Sequence, residues 1–148
     1  MDNSTIVKGL NDLLARTYDA ELGFKKVRDK SNTPALRAFF SQKANQRYDF
    51  GHQIKDLITR YGGEINKGGT LAGDVHRTWI DIVSAFTGQD DESILEEVAR
   101  GEETSLDDYN DMLDNDDLPT DVRNVLEWQR NSIERNIYRV EMREDVVS

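Results

Sequence analysis

The sequence has no cysteine, two prolines and two histidines in 148 residues. Without cysteine there are no disulfide staples, thiolate zinc sites or thiol nucleophiles; stability must rest on packing, and a metal would need carboxylate or imidazole ligands. No apolar run approaches the roughly 20 residues that span a bilayer. The opening Met1-Asp2-Asn3-Ser4-Thr5 lacks the basic region and apolar run of a signal peptide. The expectation is a soluble, cytoplasmic protein forming a single domain over residues 1–148. With 19 Lys+Arg against 29 Asp+Glu the net charge is -10, which disfavours nucleic acid and anionic membrane as partners.

The acid is unevenly spread. Residues 1–73 carry 12 Lys+Arg and 8 Asp+Glu, residues 74–148 carry 7 and 21, and all seven lysines lie in the first half. Two oppositely charged halves docking within one domain would account for this. The sharper reading is a basic surface for an acidic partner, or head-to-tail self-association.

Scarce proline and long stretches of 3.6-residue apolar spacing predict an all-α protein. A helix over 4–30 has the stripe Ile6, Leu10, Leu13, Leu14, Phe24 and Val27, with Asn3 or Ser4 as its cap. Thr33 caps a second helix over 34–61 with Pro34 at its first position, and Gly62-Gly63 stops it. A glycine-punctuated loop leads to a shorter helix over 74–87, with Trp79 packing it onto the bundle. A helix over 91–114 starts with acidic residues that suit its dipole, and a last helix over 119–144 has Pro119 in its first turn. Two antiparallel hairpins joined by a long crossover containing a short extra helix give the ferritin-like four-helix bundle.

Polar residues on the apolar stripes carry the functional information. At about 100° per residue, Glu21 lies within about 40° of the first stripe's centre, and Glu102 is placed similarly between Val98 and Tyr109. Arg47 points inward one turn before Phe50, and Arg130 one turn before Ile133. Glu21 and Arg47 are symmetric about position 34, Glu102 and Arg130 about position 116. The pattern predicts a core polar cluster of two Glu–Arg pairs related by an approximate twofold axis. A carboxylate at that depth is costly unless paired or metal-bound, and arginine's fork satisfies two carboxylate oxygens at once. The alternative is that both glutamates snorkel to the bundle edge.

The inward Glu on the first helix of each hairpin resembles the ferritin-like superfamily, in which a Glu and a Glu-x-x-His pair from each hairpin bind two irons. The chain is similar, more specifically, to a group of uncharacterised bacterial four-helix-bundle proteins of that superfamily. The matching segments include Asp19-Ala20-Glu21-Leu22-Gly23-Phe24, the stretch Gly73-Asp74-Val75-His76-Arg77-Thr78-Trp79, Arg100-Gly101-Glu102 and Leu118-Pro119-Thr120-Asp121. This chain departs from the iron-binding pattern. Where Glu-x-x-His should point inward it has Arg47-x-x-Phe50 and Arg130-x-x-Ile133, and two guanidinium groups would repel a dication. Its one carboxylate–histidine pair at that spacing, Asp49-x-x-His52, points about 135° to 165° from the second stripe's centre, toward solvent.

Other chemistry has less support. His52 and His76 have no triad partners, and the acid-rich run from Asp107 to Asp121 lacks the alternating ligands and glycine of a calcium loop. Trp128 falls on the outer face of the last helix, where it is covered by the crossover or marks a self-association surface. The first expectation is a non-catalytic bundle without cofactor, acting through its surface as a homodimer or with a protein partner; the resemblance implies a stress-related role. The alternative is an iron- or manganese-binding carboxylate bundle using Glu21 and Glu102, with oxidase or storage activity.

Overall fold

A computed structural model describes residues 1–66, 79 and 90–142. Among them are four helices and no strand, so the protein is all-α: α1 (Asn3–Lys30), α2 (Pro34–Arg60), α3 (Asp91–Leu113) and α4 (Thr120–Met142). The expected helix over 74–87 lies outside the described residues except for Trp79. No helix among the described residues is long and apolar enough to cross a membrane.

Each helix end has a local cause. Asp2, rather than Asn3 or Ser4, caps α1, its carboxylate accepting the Thr5 N–H at 2.8 Å. Asp2 gains over those residues because its charge also suits the positive end of the helix dipole. Thr33 caps α2 with Pro34 at the first position, as the sequence implies. Asp90 caps α3 through the Ser93 N–H at 2.7 Å. Pro119 precedes α4 instead of entering its first turn, and its carbonyl accepts the Arg123 N–H at 2.9 Å. At the end of α2, Gly63 N–H reaches Ile58 O at 2.9 Å and Gly62 N–H reaches Thr59 O at 3.0 Å. This double closure places Gly62 at φ 77°, a left-handed conformation that glycine adopts without a Cβ penalty.

α1 packs along α2 and α3 along α4, with lesser contacts between α1 and α3 and between α2 and α4. Asn32 meets Asp91 and Arg16 meets Asp108, so α1 and α3 are antiparallel. Gln46 meets Asn136 and Arg60 meets Asp121, so α2 and α4 are antiparallel as well. It follows that α2 and α3 start at the same end and run in the same direction on opposite corners of the bundle. Among the described residues, the inter-hairpin ion pairs Arg16–Asp108, Arg47–Glu102 and Arg60–Asp121 each take the cation from the first half and the acid from the second. The charge asymmetry of the sequence is in this respect a docking pattern.

The core has two apolar clusters. One, near the α1–α2 turn, includes Phe24, Phe39, Phe40, Trp79, Leu95 and Val98. The other, near the α3–α4 turn, includes Leu10, Phe50, Ile54, Leu57, Leu126 and Ile133. A layer of buried polar side chains lies between them.

Candidate functional site

Arg47 and Glu102 form the centre of that layer, 1% and 0% exposed. Their inward spacing on α2 and α3 aims them at each other across the bundle's diagonal. Arg47 Nη1 donates to Glu102 Oε2 at 3.3 Å and Nη2 donates to Oε1, a two-pronged contact. The guanidinium carbon lies 5.4 Å from the ring centre of Phe24 and 5.9 Å from that of Phe50, so two aromatic rings flank the cation. Asn136 Nδ2 donates to Glu102 Oε2 at 3.1 Å and to Gln46 Oε1 at 2.8 Å. Gln129, 0% exposed, accepts from Tyr109 Oη at 2.5 Å and donates to Gln53 Oε1 at 2.8 Å. Burial pushes the Tyr109 hydroxyl pKa well above the usual tyrosine value, keeping it a neutral donor. Among the described residues no buried side-chain polar atom lacks a partner.

The expected pairing within each hairpin is therefore corrected. Glu21 does not meet Arg47. It lies at the edge of α1's stripe and accepts from Lys25 Nζ one turn along the same helix at 2.9 Å. Arg130 does not meet Glu102; it donates to Asn110 Oδ1 at 2.6 Å and lies 3.4 Å from Glu134. The cause is geometric. Glu21 and Glu102 sit at similar angles on their own helices, but the α3 position faces the Arg47 guanidinium across the bundle whereas Glu21 is met by Lys25 of its own helix. Gln129 and Asn136 were missed although the spacing Leu126, Gln129, Ile133, Asn136, Val140 puts both on α4's buried stripe. That spacing was the available signal.

Beside Arg47 a cavity of about 10 Å³ is lined by Arg16, Thr17, Ser105, Asp108 and Tyr109, among others. Arg16 Nη1 lies 2.5 Å from Asp108 Oδ1. Burial raises the Asp108 pKa to about 6 against the opposing pull of Arg16, and nearby Asp111 and Asp107 add to the rise. In the acid-rich turn, Asp121 accepts from Tyr61 Oη and Arg60 Nη1, which hold its carboxyl below the usual range.

Asp49 and His52 are exposed, with the His52 ring against Tyr48 at 4.6 Å. Among the described residues no group of three or more His, Asp or Glu side chains is placed to hold a metal; His76 lies outside them. Trp128 is 55% exposed and meets Phe50 edge-on at 5.8 Å. It borders a groove of about 390 Å³ between α2 and α4, whose α2 wall includes Gln42, Asn45, Asp49 and Gln53.

No curated protein matches the chain. A family model described as "Domain of unknown function (DUF2383)" matches residues 5–115, which span α1 to the end of α3 and include both Arg47 and Glu102. That match covers most of the sequence, and the chain belongs to the DUF2383 family.

Proposed function

We propose that this chain is a non-catalytic, ferritin-like helical bundle, a stress-related structural or interaction protein in which a Glu–Arg pair takes the place of a di-metal site. The observation that carries this reading is the Arg47 guanidinium seated on the Glu102 carboxylate at the bundle's centre. A carboxylate held this way has its charge balanced and its oxygens occupied. The helix directions support the ferritin-like topology. The last residues of α2 and the first of α3 lie at opposite ends of the bundle, the placement that a ferritin-like crossover requires. The stress-related role rests on the sequence resemblance alone.

The partner we propose is a second copy of the chain, in a cytoplasmic setting without nucleic acid or membrane, meeting through the face that carries Trp128. The exposed ring and the groove beside it lie on the same face, which is what a twofold contact needs.

The test is elemental analysis of protein produced with iron or manganese supplied, run on the wild type and on Glu102→Ala and Glu21→Ala. Substoichiometric metal, unchanged by either substitution, is the expected result. Stoichiometric iron or manganese that either substitution removes would overturn the proposal in favour of the carboxylate metal site with oxidase or storage activity. Sedimentation of the wild type and Trp128→Ser tests the partner: a dimer that the substitution dissociates is expected, and a wild-type monomer at all concentrations refutes it.

A further inference from the structure

Trp79 meets the bundle in the way a ligand meets a pocket. It is 2% exposed and lies against Gly23 of α1 and Gly101 of α3. A Cβ built at Gly23 would lie 2.6 Å from Trp79 Cε3, and one at Gly101 would lie 2.7 Å from Cε2. Glycine inside a helix is unfavourable relative to alanine. Two of them facing one ring mark helix surfaces cut back to let a flat group lie close. Phe24 forms a wall of the slot, its ring centre 4.6 Å from that of Trp79. The polar ends are matched too. The Trp79 backbone N–H donates to Asp19 Oδ2 at 2.8 Å, and the indole Nε1–H donates to Ser105 Oγ at 3.2 Å. Asp19 and Ser105 are themselves buried, at 6% and 8% exposed.

We propose that the slot between α1 and α3 is a binding site for an indole-class ring, filled by the chain's own Trp79 and open to free indole when that side chain is shortened. Trp79→Ala keeps the backbone N–H that serves Asp19. It vacates the ring volume and leaves Ser105 as the acceptor for a ring N–H. Buried apolar cavities of this kind take up small aromatic molecules. The site does not depend on the reading of Arg47 and Glu102 given above.

Thermal unfolding of wild type and Trp79→Ala, each titrated with indole and with 1-methylindole, tests it. A saturable rise in Tm is expected for the variant and none for the wild type. At indole ten times above its Kd, the folding constant rises about 11-fold. The 1-methyl compound, with no N–H for Ser105, binds about tenfold more weakly. If Trp79→Ala is unfolded alone, indole must restore its helical circular dichroism. Absence of any saturable response overturns the proposal, as does equal binding of the two compounds. A second measurement needs no ligand. Gly101→Ala destabilises the wild type, where the new Cβ meets the ring, and is neutral or stabilising in Trp79→Ala, where alanine's better helix propensity acts alone. Destabilisation by the same amount in both backgrounds refutes the slot.

Discussion

Replacing Arg47 with leucine removes the cation opposite Glu102 and leaves the carboxylate, 0% exposed, with the Asn136 amide as its remaining donor. Orphaning one member of a buried ion pair costs about 3–5 kcal/mol. For a chain of this size that is a fall in Tm of about 10–15 °C. Circular dichroism during heating, or a urea titration, measures it. Arg47→Met combined with Glu102→Leu should recover more than half of the loss, because the stranded charge goes with its partner and Asn136 keeps Gln46. The single variant also acquires a pH signature. An unpaired buried carboxylate has a raised pKa, so the folded state binds its proton more tightly than the unfolded chain does. The deficit of Arg47→Leu relative to wild type therefore shrinks as pH falls from 7 to 5. An unchanged Tm in the single variant, or a double variant that loses the sum of two single losses, would refute the pairing energetics.

The remaining expectations concern single sites. Asp108, its pKa raised to about 6, takes up a proton in the folded state before it does in the unfolded one; wild-type stability should rise by about 1–2 kcal/mol as pH falls from 7.5 to 5, and Asp108→Asn should flatten that slope in urea titrations. Gln129→Leu leaves the Tyr109 hydroxyl without the acceptor it now has, a loss of about 1–3 kcal/mol, and adding Tyr109→Phe should restore much of it. Gly62→Ala forces a Cβ into the left-handed position that ends α2 and should cost about 1 kcal/mol; no change in Tm would mean that the closure relaxes.

Much of the architecture is legible in one dimension because apolar spacing and caps are local. The α1, α2 and α3 limits expected at 4–30, 34–61 and 91–114 fall within a residue of those observed, and Pro34, Gly62 and Asp90 act where their chemistry predicts. The inward positions of Arg47 and Glu102 are legible for the same reason. Their pairing with each other is not. Spacing gives a residue's angle on its own helix, whereas a partner is set by which helices share a corner of the bundle. Pairing within hairpins would join Glu21 to Arg47 and Glu102 to Arg130; Arg47 instead crosses to Glu102, and Glu21 and Arg130 take partners within their own hairpins. Gly23 and Gly101 were legible only as members of a resembling segment. Their use emerges once Trp79, far from either in sequence, lies between them.

The diagonal bond also ties the fate of the two hairpins together. The first half to leave the ribosome bears a guanidinium whose counter-ion has not yet been synthesised, and the second half bears an acid that nothing in its own hairpin neutralises. The contact closes only when α2 and α3 are both present, so truncation before Glu102 should yield material for chaperones and proteases instead of a smaller stable bundle.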